Sequence, residues 1–131
     1  MEGITHVISL AGDMSPKSFK YDNQTGTLRR IIIDLPDTPE ANILKVIKIC
    51  INFIEQSIKC YIHCLAGVSR SSSIVIAYLM WKTHSDFDDV YFYVKSRRKW
   101  IAPNEGFVAQ LRQFGELLKL NNYDLSRIKD D

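Results

Sequence analysis

The sequence is poor in the features that mark several common classes of protein. It has three cysteines, Cys50, Cys60 and Cys64, and no signal-peptide pattern ahead of them. An odd count of this kind is not a disulfide framework, so a reducing compartment, cytoplasmic or nuclear, is expected. No apolar run approaches the ~20 residues of a membrane span, and no membrane partner is expected. His6, His63 and His84 stand far apart, so no Cys/His pairs fall at zinc spacing and no metal is expected. Charge of neither sign is in excess. The net charge is +2, without long like-charged blocks, which argues against a nucleic-acid partner. There is no internal repeat, linker or low-complexity tract.

What is present is an ordinary globular composition over 131 residues, 46% hydrophobic and 24% charged. That is one domain's worth of chain, long enough to bury a core. Ile4 to Leu10 is rich in β-branched residues and reads as a strand. Residues 12–28 are polar and read mostly as loop. Arg30 to Ile33 is a second strand, broken by Asp34-Leu35-Pro36-Asp37-Thr38-Pro39, because two prolines cannot continue a ladder. From Glu40 the period changes, and Ile43, Val46, Ile47, Cys50 and Ile54 share one face of an amphipathic helix over 40–57. Cys60 to His63 is a short apolar strand, and 64–70 form a loop. Ser71 to Lys82 is a helix apolar on nearly every side, expected at the centre of the molecule. A third helix follows Ser85, its expected N-cap, with Phe87, Val90, Tyr91 and Val94 inward. A fourth starts near Pro103-Asn104, with Phe107, Leu111, Phe114 and Leu118 inward. This order predicts an α/β fold, a small central mixed sheet flanked by helices, with the 64–70 loop between a strand and a buried helix.

The chemistry concentrates in His63-Cys64-Leu65-Ala66-Gly67-Val68-Ser69-Arg70-Ser71. A loop that ends at a helix N-terminus aims several backbone N–H groups, and the positive end of the helix dipole, into one concavity. An anion belongs there, and Gly67 lets the backbone turn closely around it. Cys64 opens this loop and Arg70 closes it. A thiol beside a helix N-terminus and a cation should be a thiolate and a ready nucleophile at neutral pH. Arginine is the suitable cation because its planar fork holds two phosphate oxygens at once. A lone cysteine is usually core, and a lone arginine is usually surface. The two at this spacing, between a strand and an apolar helix, are hard to explain that way.

His-Cys-x5-Arg resembles the signature of the protein tyrosine phosphatases, and HCLAGVSRSS is similar to their dual-specificity branch, close to the MAP kinase phosphatases. Three further segments carry the resemblance: Gly3-Ile4-Thr5-His6-Val7, Asp37 to Ile43, and Ala102 to Phe107 followed by Gln110-Leu111. It covers about residues 3–118. It implies a catalytic domain over 1–121, followed by a tail over 122–131. It also implies a cofactor-free hydrolysis of phosphate esters through a cysteinyl-phosphate. Cys64 is the nucleophile and Arg70 the phosphate clamp. Backbone N–H groups of Leu65, Ala66, Gly67, Val68, Ser69 and Arg70 hold the equatorial oxygens. Asp37 is the general acid by its place before Asn42, whereas Asp34 ends a strand. Ser71 assists the sulfur in the second step. His63 and Asn104 support the loop, although a core histidine and a helix cap are equally good readings of these two.

The family's domain opens with a further strand and helix before the Gly-Ile-Thr-His segment, whereas Met1 stands almost on top of it here. Either the chain is natively short or it lacks its start, which bears on the sheet edge and the substrate-facing rim but not on the catalytic set. The uncharged loop residues Leu65, Ala66, Val68 and Ser69 favour a protein substrate over a multiply charged head group. The resemblance implies phosphotyrosine and phosphoserine/phosphothreonine proteins as partners, a kinase among the candidates. The rival reading is a phosphopeptide-binding pseudophosphatase. Cys50 and Cys60 read as core, with a redox partnership to Cys64 as the alternative. Lys95-Arg97-Arg98-Lys99 reads as a solvated helix end, or as a surface that meets acidic substrates.

Overall fold

The computed structural model describes residues 3–11, 19–22, 28–64 and 69–129, the side chains of 19–22 excepted. The chain runs through β1 (His6–Ala11), β2 (Phe19–Asp22), β3 (Arg29–Asp34), α1 (Leu44–Glu55), β4 (Cys60–Cys64), α2 (Ser69–Thr83), α3 (Phe87–Arg97) and α4 (Glu105–Leu120), with a short 3-10 turn at Leu125–Arg127. The strands form one sheet in the order β2-β3-β1-β4. β3 and β4 lie parallel to β1, and β2 is antiparallel to β3, so the sheet is mixed as predicted. β2 falls inside the span read as loop. Its four residues, Phe19-Lys20-Tyr21-Asp22, are too few to show a period, and pairing with β3 decides them.

β1 is the buried strand of the sheet. Val7 and Ile8 are both buried, so both faces are covered there. The core gathers Ile8, Leu10, Ile31 and Ile33 of the sheet with the apolar faces of the helices. α4 contributes Phe107, Leu111, Phe114 and Leu118, the face read from its period, and α3 contributes Phe87, Val90 and Val94. Truncating Phe107 or Phe114 to alanine would cost about 3–5 kcal/mol, because both are fully buried. α2 packs against α1, α3, α4 and β4, which is the central position its all-round apolar pattern predicts.

Three helix starts differ from the sequence reading, α2 by two residues, since it begins at Ser69 and not at Ser71. α1 begins at Leu44, not near Glu40. Residues 35–43 stay outside regular structure; Ala41 N–H closes a turn onto the Thr38 carbonyl at 3.1 Å instead of starting a helix. α3 is preceded by Asp86, not capped by Ser85. The Ser85 hydroxyl is taken by Thr83, accepting from its Oγ1 at 2.9 Å. Beyond α4 the chain folds back. Lys48 Nζ donates to the Ile128 carbonyl at 2.8 Å, and Leu125 and Ile128 are buried.

Candidate functional site

Cys64 is the last residue of β4, and Ser69 and Arg70 open α2, so a strand and a helix flank this segment as expected, but each runs into the span 64–70 read as loop. Leu65, Ala66, Gly67 and Val68 lie outside the described residues. Side chains alternate along β4, so Cys60, Ile62 and Cys64 face one way, against the core, and Tyr61 and His63 the other. Cys64 Sγ lies 3.3 Å from Ser71 Oγ, in the first turn of α2. A hydroxyl there can accept from a thiol or turn and donate to a thiolate.

Arg70 is only 6% exposed. Its Nη1 donates to the Leu35 carbonyl at 3.2 Å, at the start of the 35–43 segment. Its Nε is buried and has no hydrogen-bond partner among the described residues. A buried guanidinium with a donor to spare suits an anionic oxygen, because burial is costly for a cation that is not compensated.

The first turn of α2 is serine-rich for a reason. Ser72 and Ser73 Oγ both donate to the Ser69 carbonyl, at 3.2 and 2.6 Å. The Ser69 hydroxyl in turn accepts from the Asn104 backbone N–H at 2.8 Å. Asn104 caps α4, its Oδ1 accepting from Phe107 N–H at 2.9 Å, while its Nδ2 donates to Asp37 Oδ1 at 2.9 Å. Asn104 is therefore the helix cap, and it also joins Ser69, at the start of α2, to the exposed Asp37 side chain. Asp34 sits apart, as the last residue of β3.

His63 lies on the face of β4 away from Cys64. Its Nε2 is 2.7 Å from Ser9 Oγ, and its ring stacks on Tyr61 at 5.3 Å. Burial, and then the charge of Arg30, hold this imidazole below its ordinary pKa. Burial likewise pushes the Cys60 thiol up to about 11, and raises Cys50 further. Both are poor thiolates, in keeping with core positions. Arg97, Arg98 and Lys99 are exposed at the end of α3, and Lys95 Nζ turns back to the Ile101 carbonyl at 2.9 Å.

Two further residues shape the site, and the sequence reading gives them no role. A Cβ on Gly106 would stand 2.0 Å from the Pro39 carbonyl oxygen, so α4 presses directly on the segment that bears Asp37. Gln110 Oε1 accepts from the backbone N–H groups of Ile43 at 2.8 Å and Leu44 at 3.4 Å. The legible signal for Gln110 was Ile43, which precedes α1 and has no side-chain acceptor to offer that helix.

The family model described as "Dual specificity phosphatase, catalytic domain" matches residues 1–116. Protein-tyrosine-phosphatase MKP1 of Arabidopsis thaliana is 41% identical over 115 residues, covering 85% of this chain and 14% of that protein. The chain spans well under half the length of the curated relatives it matches first, 29% and 24% for two from Dictyostelium discoideum. A crystal structure of DUSP15 aligns with a TM-score of 0.76 and 35% identity, over 98% of this chain and 81% of that one. A crystal structure of a human tyrosine phosphatase-like serine/threonine/tyrosine-interacting protein aligns with a TM-score of 0.78 and 35% identity, over 90% and 80%. With a family match over nearly its whole length, and the Cys64 to Arg70 segment between β4 and α2, this chain belongs to the dual specificity phosphatase catalytic-domain family.

Proposed function

We propose that this domain hydrolyses phosphotyrosine and phosphoserine/phosphothreonine esters in proteins through a cysteinyl-phosphate intermediate. The observation that carries the reading is Arg70, buried with an unpartnered Nε beside the Cys64–Ser71 pair. In the first step Cys64 thiolate attacks phosphorus, and the bond to the leaving oxygen breaks. Asp37 donates its proton to that oxygen. In the second step water attacks phosphorus, Asp37 takes a proton back, and the S–P bond breaks to release inorganic phosphate. Ser71 Oγ donates to the departing sulfur. Arg70 and backbone N–H groups at residues 65–70 stabilise the charge on the equatorial oxygens. Phosphorylated proteins, kinases among them, in the cytoplasm or nucleus are the substrates this reading calls for. Three cysteines outside any disulfide suit those reducing compartments.

A second reading is phosphopeptide binding without turnover. It is favoured by the likeness to the tyrosine phosphatase-like interacting protein. Cys64, Arg70 and Asp37 together favour turnover. Hydrolysis of a phosphopeptide panel and a small aryl phosphate, with a metal chelator present, separates the two. Turnover that survives the chelator is expected. Cys64→Ser should abolish it while phosphate-ester binding persists, because serine is not an anion at neutral pH. Wild-type-like turnover by Cys64→Ser would remove Cys64 as nucleophile. Binding without any turnover by the wild type would establish the second reading.

A further inference from the structure

The first-turn N–H groups of α1 need partners that its own helix cannot supply. Asn42 Oδ1 accepts from Lys45 N–H at 3.3 Å. The rest of the task falls to a residue far along the chain. Gln110 Oε1 accepts from Ile43 and Leu44 N–H, and its Nε2 donates to the Ala41 carbonyl at 2.8 Å. A single amide uses both ends to hold three backbone groups. Donors at one end and a carbonyl at the other leave one consistent orientation for that amide.

These three groups close the segment that bears Asp37. Its upstream end is fixed by Leu35, whose N–H donates to the Ala11 carbonyl at 2.8 Å and whose carbonyl accepts from Arg70. Between the two ends, residues 36–40 are exposed. The aim of the Asp37 carboxyl therefore depends on where both ends are held. Hydrogen bonds of Gln110 go to the backbone of 41, 43 and 44 and, among the described residues, not to Cys64, Arg70 or Asp37.

We propose that Gln110 is a positioning residue for the proton-transfer half of the reaction, acting through the 35–43 segment on Asp37. The proposal rests on Asp37 being the general acid. It requires a side chain that donates and accepts at once. Glutamate keeps only the acceptor end, and methionine keeps the volume with neither end.

The test compares esters with good and poor leaving groups. A nitrophenolate departs without a proton, whereas a phenolate or a threonine alkoxide needs one. In Gln110→Met, hydrolysis of phenyl phosphate and a phosphothreonine peptide should fall by roughly 10–100-fold, the cost of misplacing a catalytic group by about an ångström. Nitrophenyl phosphate turnover should fall far less. Gln110→Glu should lie between, and serves if the methionine variant does not fold. Asp37→Asn combined with Gln110→Met should be no slower than Asp37→Asn alone, because both act on one proton transfer. Equal losses for both ester classes, no loss for either, or a double variant whose loss is the product of the two single losses would overturn the proposal. If Asp37→Asn itself shows no leaving-group dependence, the acid assignment fails first and the positioning role falls with it.

Discussion

The proposed nucleophile and the proposed acid of this site are held in different ways. Cys64, Arg70 and Ser71 come from neighbouring positions, and the Ser69 carbonyl that steadies their helix is bound by Ser72 and Ser73. Those contacts are local, although Arg70 also donates to the Leu35 carbonyl and Ser69 Oγ accepts from Asn104 N–H. Asp37 stands on an exposed segment that makes almost nothing of itself. It is bound by Asn104, pressed by Gly106 and tied off by Gln110, all from α4 or its cap. The proposed nucleophile thus ends β4, and the proposed acid is hung between the sheet and a helix distant in sequence. Substitutions outside the Arg70–Leu35 and Ser69–Asn104 contacts should disturb one half more than the other.

The strongest way to separate them is to remove the acid. Asp37→Asn should lower turnover of poor leaving groups by on the order of 10²–10⁴-fold, with a smaller loss for nitrophenyl phosphate. Asp34→Asn should not reproduce that pattern. If it does and Asp37→Asn does not, the two aspartates are misassigned. On the other side, Ser71→Ala should slow the second step alone. Rapid mixing with nitrophenyl phosphate should then give a burst near one equivalent of enzyme, with a lowered KM because a later step limits. A slowed first phase without a burst would place Ser71 in loop structure only.

Two smaller effects test the supports. Gly106→Ala puts a methyl group into the Pro39 carbonyl and should destabilise the fold by about 1–3 kcal/mol, read by denaturant unfolding. It should also weaken the dependence on Asp37 more than the reactivity of Cys64. An alanine variant as stable as the parent would show that the segment yields freely. The smallest effect concerns pH. His63 and His6 are both held below the ordinary imidazole pKa, chiefly by burial and then by Arg30 and Arg29 respectively. The unfolded chain therefore takes up protons first as pH falls below about 6.5, and stability is lost across the interval down to the folded values. Thermal unfolding between about pH 7 and pH 5 should show that loss, and His63→Gln should reduce it. A flat profile would mean that the ring is solvated in the folded protein.

The same division explains how much of the site was legible in the sequence. The places of Cys64 and Arg70, at the end of a strand and the start of a helix, could be read because strand and helix signals lie side by side there. The apolar face of α4 was equally plain, since Phe107, Leu111, Phe114 and Leu118 repeat at helical spacing and are all buried. The start of α1 was misplaced because Asp37 to Asn42 is compatible with a helical turn. What keeps it open is Pro39 against Gly106 and the amide of Gln110, neither of which leaves a local mark. β2 failed for the same reason, as its pairing with β3 is the only thing that makes it a strand.

Gln110 also has a consequence for how the protein comes into being. Its contacts with Ile43 and Leu44 span separations of 67 and 66 positions, whereas Cys64 and Ser71 are 7 apart. Contacts of long sequence separation carry the larger loop-closure cost and tend to form late. During synthesis, the strand and helix around Cys64 leave the ribosome before α4 exists to hold the Asp37 segment. A nascent chain interrupted ahead of α4 would carry the thiol and the arginine but have no fixed proton donor. On the proposed roles, competence to turn over a phosphate ester would arrive only with α4, at a time set by the order of the chain.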